Sequence, residues 1–287
     1  MKIRFRLLDV FTEVPFAGNQ LCVVPETPAA LDEGLMLAIT REINFSETTF
    51  VTAVRDGGYD VRIFTPEKEL PFAGHPTLGT AFTLVSEGRV SSPVVQTSAA
   101  GDVPVEVDLA AGRARMRQLP PVFGRVVVDR DRVARAAGLE RGDLVPHLPV
   151  VPVGTGIAHL MVPVRDEATL RRARRDDREC FEVCRAADDA ESLYLFAVRG
   201  EGDVMARMFD PWMAIGEDPA TGSAAGPLGA YLAAHGLAGM PGRAVVAQGE
   251  MVGRPSFLHV EAEPAGASWA IRVGGGVRIM GEGSFTL

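Results

Sequence analysis

The first nine residues alternate charged and apolar side chains, Lys2, Arg4 and Arg6 against Ile3, Phe5 and Leu7, which is the period of a half-buried strand. Residues Leu31 to Glu42 read as a helix, and Asn44 to Val51 leave it and enter an apolar strand. Gly18 to Val24 and Gly156 to Val162 each read as a turn leading into an apolar strand. Between them, Gln118 to Gly124 carries Pro120-Pro121, which interrupts regular structure and marks a linker.

The pattern also repeats. Ala53-Val54-Arg55 returns as Ala197-Val198-Arg199, each followed by glycine-rich turn material, so a hairpin is expected at each place. Arg62-Ile63-Phe64-Thr65-Pro66 then returns as Arg207-Met208-Phe209-Asp210-Pro211. Downstream of both, a glycine opens a helix of small residues, Gly74 to Ala81 in one half and Gly222 to Ala230 in the other. One repeat of about half the chain indicates a duplicated domain rather than a solenoid. The expected domains are residues 1–119 and 120–287, with the last strand, near Gly283 to Leu287, packing back on the first.

At 287 residues the chain has room for two modest cores. Nothing approaches the roughly 18 uninterrupted apolar residues of a membrane span, and the N-terminus lacks the apolar core of a secretory signal, so a cytoplasmic chain without a membrane partner is expected. A net charge of -8 argues against a nucleic-acid partner. The one basic run, Arg171 to Arg178, is interleaved with Asp176, Asp177 and Glu179 and reads as a solvated helix face. Cys22, Cys180 and Cys184 are too few for a disulfide framework and have no nearby His to complete a zinc site, so no metal is expected. Neither GxGxxG nor GxxxxGK[ST] occurs.

Three places could carry chemistry. The starts of the two small-residue helices, at Gly74 and Gly222, offer first-turn N–H groups that suit a carboxylate; equally, Gly79, Ala81, Gly226 and Gly229 could serve close packing. The loops before them collect Glu67, Glu69 and His75 in one half and Glu217 and Asp218 in the other. The third is Glu47, a residue type disfavoured in strands. By alternation it shares a face with Phe45, Thr49 and Val51, where burial would raise its pKa toward that of a general acid or base. The alternative is a solvated residue at the strand mouth.

Several blocks in order resemble the phenazine-biosynthesis PhzF-like family: Pro15-Phe16-Ala17-Gly18-Asn19, Phe45-Ser46-Glu47-Thr48, Phe72-Ala73-Gly74-His75-Pro76-Thr77, Glu217-Asp218-Pro219-Ala220-Thr221-Gly222-Ser223-Ala224, and Gln248-Gly249 to Gly253-Arg254-Pro255-Ser256, with Val252 an added residue in the last. The resemblance implies a diaminopimelate epimerase-like α+β fold: two pseudo-symmetric α/β domains, each a curved, barrel-like sheet around a central helix, with the active site between them. Epimerases of that fold use a cysteine before each helix-start glycine; here those positions hold Ala73 and Thr221, which disfavours two-thiol racemisation. The resemblance assigns Glu47 as the proton shuttle, helped by His75 and Asp218, with Gly74, Thr221, Gly222 and Ser223 binding substrate. It implies a cofactor-independent isomerase acting on a small unsaturated carboxylic acid, as trans-2,3-dihydro-3-hydroxyanthranilate isomerase does. An epimerase or lyase of the same fold, or a non-catalytic ligand-binding member, are the alternatives, and a homodimer is compatible with the resemblance.

Overall fold

The computed structural model describes residues 1–212 and 216–287 and divides into two compact units: unit 1 comprises 1–117 and 274–287, and unit 2 comprises 118–273. The division falls two residues before the 119/120 boundary expected from sequence, and the chain end from Gly274 onward belongs to unit 1.

Unit 1 runs β1 (Lys2–Val10), β2 (Asn19–Val24), α1 (Glu33–Ile43), β3 (Glu47–Arg55), β4 (Gly58–Phe64), β5 (Glu69–Leu70), α2 (Gly74–Ser86), β6 (Val94–Ser98), β7 (Gly101–Asp108) and β8 (Arg113–Arg117). Unit 2 runs β9 (Val122–Phe123), α3 (Arg130–Ala136), β10 (Val151–Gly154), β11 (Ala158–Pro163), α4 (Glu167–Arg172), α5 (Asp177–Ala186), β12 (Leu193–Gly200), β13 (Asp203–Phe209), β14 (Glu217–Asp218), α6 (Gly222–Ala234), β15 (Gly242–Gln248), β16 (Ser256–Ala265) and the start of β17 (Ser268–Thr286).

The pairings of the two units match one for one. β1–β2 and β10–β11 are antiparallel, β2–β3 and β11–β12 parallel, and β3–β4 and β12–β13 antiparallel hairpins. Short β5 and β14 flank β4 and β13, and parallel β4–β6 matches parallel β13–β15. The duplication is therefore a property of the topology as well as of short sequence matches. In unit 1 the end of β17 pairs antiparallel with β1, Lys2 opposite Thr286, and Val277 donates to the Gly112 carbonyl beside β8. The sheet of unit 1 thereby curls round α2.

Each central helix, α2 and α6, has eleven of its thirteen residues buried. A helix apolar on all sides is stable only inside a core, and the small residues let strands come close. A Cβ on Gly79 would collide with Leu21 and one on Gly229 with Val260, so the packing role read for these glycines is real. The outer helices differ: α1 is amphipathic and lays Met36, Ile39 and Thr40 on the sheet, while α3 to α5 cover a second apolar cluster that includes Val133, Leu170, Cys180, Val183 and Leu195.

Helix capping separates the two kinds. Asp32, Asp129, Asp166 and Asp176 cap α1, α3, α4 and α5, each carboxylate accepting from an N–H in the first turn. Ala73 and Thr221, at the heads of α2 and α6, make no side-chain cap. The basic run forms the end of α4, the link and α5, and three of its arginines are in ion pairs: Arg171 with Glu167 and Glu250, Arg172 with Asp143, Arg175 with Asp177.

Candidate active site

In unit 1, Asn44 adopts a left-handed conformation at the end of α1 and turns the chain into β3, making Glu47 the first residue of that strand. Glu47 is at the strand mouth, as one alternative held, and is nevertheless buried, as the other required. Its neighbour is the imidazole of His75, the second residue of α2, with His75 Nε2 3.3 Å from Glu47 Oε2. On the other side of the ring, Asn19 Nδ2 lies 3.1 Å from His75 Nδ1, and Ser46 Oγ donates to Asn19 Oδ1 at 3.1 Å. The serine orients the amide toward Nδ1, and Nε2 faces the carboxylate. Burial pushes the His75 pKa down to about 3, against a backbone hydrogen bond with Gln20 that opposes it. The imidazole is thus neutral near pH 7. Gly18, just before Asn19, has φ +70°, and a Cβ there would strike the Val10 carbonyl and Thr12. Only glycine makes this turn without strain.

In unit 2, Asp218 ends β14 and is buried. Thr221 Oγ1 donates to Asp218 Oδ2 at 2.6 Å, and Gln248 Nε2 reaches the Asp218 carbonyl at 2.8 Å and Thr221 Oγ1 at 2.9 Å. Tyr194 donates to Gln248 Oε1 at 2.8 Å, and its own pKa is raised by burial and then by the Asp218 charge. Gly222 opens α6 and its carbonyl accepts from Gln118 Nε2 at 2.9 Å. Ser223, partly exposed, meets His159 Nε2 at 3.1 Å, and His159 Nδ1 meets Ser192 Oγ at 2.9 Å.

Two of the carboxylates collected by the loops are engaged elsewhere. Arg62 forks Glu69 at 2.8 and 2.6 Å, and at the equivalent place in the repeat Arg207 forks Glu217 at 2.8 and 2.7 Å. Each arginine also lies over the phenylalanine two residues on, Phe64 or Phe209. These are structural ion pairs. Glu67 is exposed. The thiols of Cys22, Cys180 and Cys184 are all buried, and burial pushes Cys22 and Cys180 up to about 12 and Cys184 higher still. The residues preceding Gly74 and Gly222 are Ala73 and Thr221, so neither helix start carries a thiol. Among the described residues no group of three or more His, Cys, Asp or Glu is arranged to hold a metal, and no helix is long and apolar enough to cross a membrane.

Asn19, Ser46, Tyr194 and Gln248 support the expected residues, although sequence reasoning named none of them as site residues. His159 and Ser192 were missed altogether. A signal existed for His159: strand register makes it the counterpart of Leu21, so a polar residue stands at an inward position where the repeat has leucine.

The two curved, barrel-like sheets round their central helices define the diaminopimelate epimerase-like fold. Superposition on a PhzF-family phenazine biosynthesis protein of Bacillus anthracis gives a TM-score of 0.89 at 26% identity, covering 100% of both chains. The phenazine biosynthesis-like protein family model matches residues 8–283, and the chain belongs to that family. It is 34% identical over 285 residues to trans-2,3-dihydro-3-hydroxyanthranilate isomerase of Pseudomonas aeruginosa, covering 98% of each chain, and 33% identical over 267 residues to an uncharacterized isomerase of Clostridium acetobutylicum, covering 88% of each. The protein is a PhzF-like isomerase.

Proposed function

We propose that the protein is a cofactor-independent isomerase that moves a proton between two carbons of a small unsaturated carboxylic acid, with Glu47 as the proton carrier. The observation that carries this reading is the contact of Glu47 with a neutral, buried imidazole at the head of an uncapped helix. The carboxylate takes a proton from an activated C–H bond, the electron pair shifts through the adjacent double bond, and the same carboxyl returns the proton to another carbon. Atoms and charge balance without an oxidant or a second substrate. His75, protonated at Nε2, hydrogen-bonds to the carboxylate or to the substrate as the negative charge moves between them.

Support for a carboxylate ligand comes from the capping pattern. Four outer helices are capped by aspartate, whereas the N-cap residues of α2 and α6, Ala73 and Thr221, make no side-chain cap, and a carboxylate is what helix N-termini bind. Under this reading Gly74, Thr221, Gly222 and Ser223 bind substrate and Asp218 assists the proton transfer. The family relationship supports trans-2,3-dihydro-3-hydroxyanthranilate, or an acid of closely similar outline, as substrate.

The test is turnover of that acid by the purified protein in D2O, followed by mass and NMR spectra of the product, with and without a chelator. Chelator-insensitive isomerisation is the expected result. Failure to convert the acid would remove this substrate, and activity lost to EDTA and restored by zinc would overturn the cofactor-independent mechanism.

A further inference from the structure

Strand register places the residues of the two units in correspondence. Thr48 faces Phe64 across its hairpin and Leu193 faces Phe209, so Ser192 stands where unit 1 has Glu47. Cys22 pairs with Thr48 and Leu160 with Leu193, so His159 stands where unit 1 has Leu21. Both central helices begin with glycine, so Ser223 is the counterpart of His75. Unit 1 thus sets a carboxylate against an imidazole, while unit 2 sets an imidazole between two hydroxyls.

We propose that Ser192, His159 and Ser223 form a polarised hydrogen-bond string in which His159 is a positioning residue that turns the Ser223 hydroxyl into a dedicated donor for an anionic substrate group. The inference rests on the proposed carboxylate substrate and deepens it by assigning the direction of each hydrogen bond.

The direction follows from satisfying buried groups. Ser192 is fully buried, and its hydroxyl has one hydrogen-bond partner among the described residues, His159 Nδ1. If Nδ1 carried the proton and donated, the Ser192 hydrogen would be buried with no acceptor, which is costly, whereas an oxygen with a spare lone pair is cheaper to leave. Ser192 therefore donates to Nδ1. A neutral imidazole has one N–H, and with Nδ1 accepting it lies at Nε2, which donates to Ser223 Oγ 3.1 Å away. Burial lowers the pKa of this ring to about 3, so the second proton that would blur the direction is absent near neutral pH. With its oxygen already accepting, Ser223 presents its own hydrogen outward. That residue is partly exposed, and it sits in the first turn of a helix with no side-chain cap. The string delivers a donor and no base.

The experiment uses the full chain and 3-hydroxyanthranilate, the aromatic counterpart of the proposed substrate, whose ring has no saturated C–H from which a proton could be moved. Calorimetry on wild type, Ser192→Ala, Ser223→Ala and the double variant forms a cycle. Each single substitution is expected to weaken binding, Ser223→Ala by about tenfold, as for one hydrogen bond to a charged group, and Ser192→Ala by a smaller factor. The double variant should bind as Ser223→Ala alone does, because Ser192 acts only through Ser223. Independently, 15N spectra of the histidine ring in the wild type should show the His159 proton at Nε2, with His159→Gln supplying the assignment, and this readout decides the matter if Ser192→Ala does not fold. Multiplying losses in the cycle, or a proton at Nδ1, would overturn the proposal, as would no binding of the probe by the wild type. Failure of isomerase turnover with the cycle and the tautomer as expected would sink the proposed reaction and leave this inference standing.

Discussion

Glu47 Oε2 and His75 Nε2 lie 3.3 Å apart, a carboxylate at the mouth of one strand against an imidazole in the first turn of the central helix. Between a carboxylate and a neutral ring there is no full ion pair, so the proposed proton uptake by Glu47 breaks none.

Replacing Glu47 by Gln keeps the shape and removes the group able to take up and return a proton. Turnover is expected to fall about 100- to 10,000-fold, the usual contribution of a general acid or base, with the thermal midpoint close to wild type. Near-wild-type rates in steady-state assays on a folded Glu47→Gln variant would transfer the role to Asp218.

Stability should depend on pH through His75 and His159. Both have folded pKa values lowered to about 3 by burial, against about 6.5 in the unfolded chain. Above pH 6.5 both rings are neutral in either state and contribute nothing to the dependence. Below it the unfolded chain takes up protons that the folded chain refuses, so stability falls as pH drops from 6.5 toward 3. Each ring contributes a slope of up to about 1.4 kcal/mol per pH unit. Urea melts between pH 6.5 and 5, where ordinary carboxylates stay largely ionised, should show the decline, and His159→Gln should remove about half of it. A flat profile would contradict the burial of these rings.

The repeated arginine forks should differ in worth because their burial differs. The Arg207 side chain is 6% exposed and also donates to the carbonyls of Leu170 and Ala173, whereas that of Arg62 is 30% exposed. Arg207→Met leaves Glu217 and two carbonyls without their donor and should cost about 3–5 kcal/mol. Arg62→Met should cost about 0–1 kcal/mol. Equal shifts in chemical denaturation midpoints would refute the argument from burial.

Gly226 lies against Gln118, which holds the Gly222 carbonyl and accepts from Thr155 at 2.7 Å. A Cβ at Gly226 would overlap Gln118 Oε1 and lie 2.7 Å from its Cδ and 3.1 Å from Ile271 Cγ2. Gly226→Ala is therefore expected to destabilise by about 1–3 kcal/mol, the usual cost of overpacking. Gly200→Ala, whose Cβ meets nothing within 4 Å, should stay within about 0.5 kcal/mol of wild type. Denaturant melts of the two variants, side by side, separate steric overlap from loss of glycine as such.

The chain by itself determined the duplication, the hairpins, the two glycine-led helices and the family, because strand alternation, turn glycines and small-residue runs are written in consecutive residues. It also singled out Glu47, as a carboxylate where a strand should be apolar. Which carboxylates remain for chemistry was decided only in three dimensions: Glu69 and Glu217 stand in the same loops as His75 and Asp218, and only the folded chain shows arginines engaging them. The supporting groups were hidden for the same reason. Asn19 reaches His75 across 56 residues and His159 reaches Ser223 across 64, and a hydrogen bond between such residues exists only once sheet register has set one strand beside another and both beside the helix they surround.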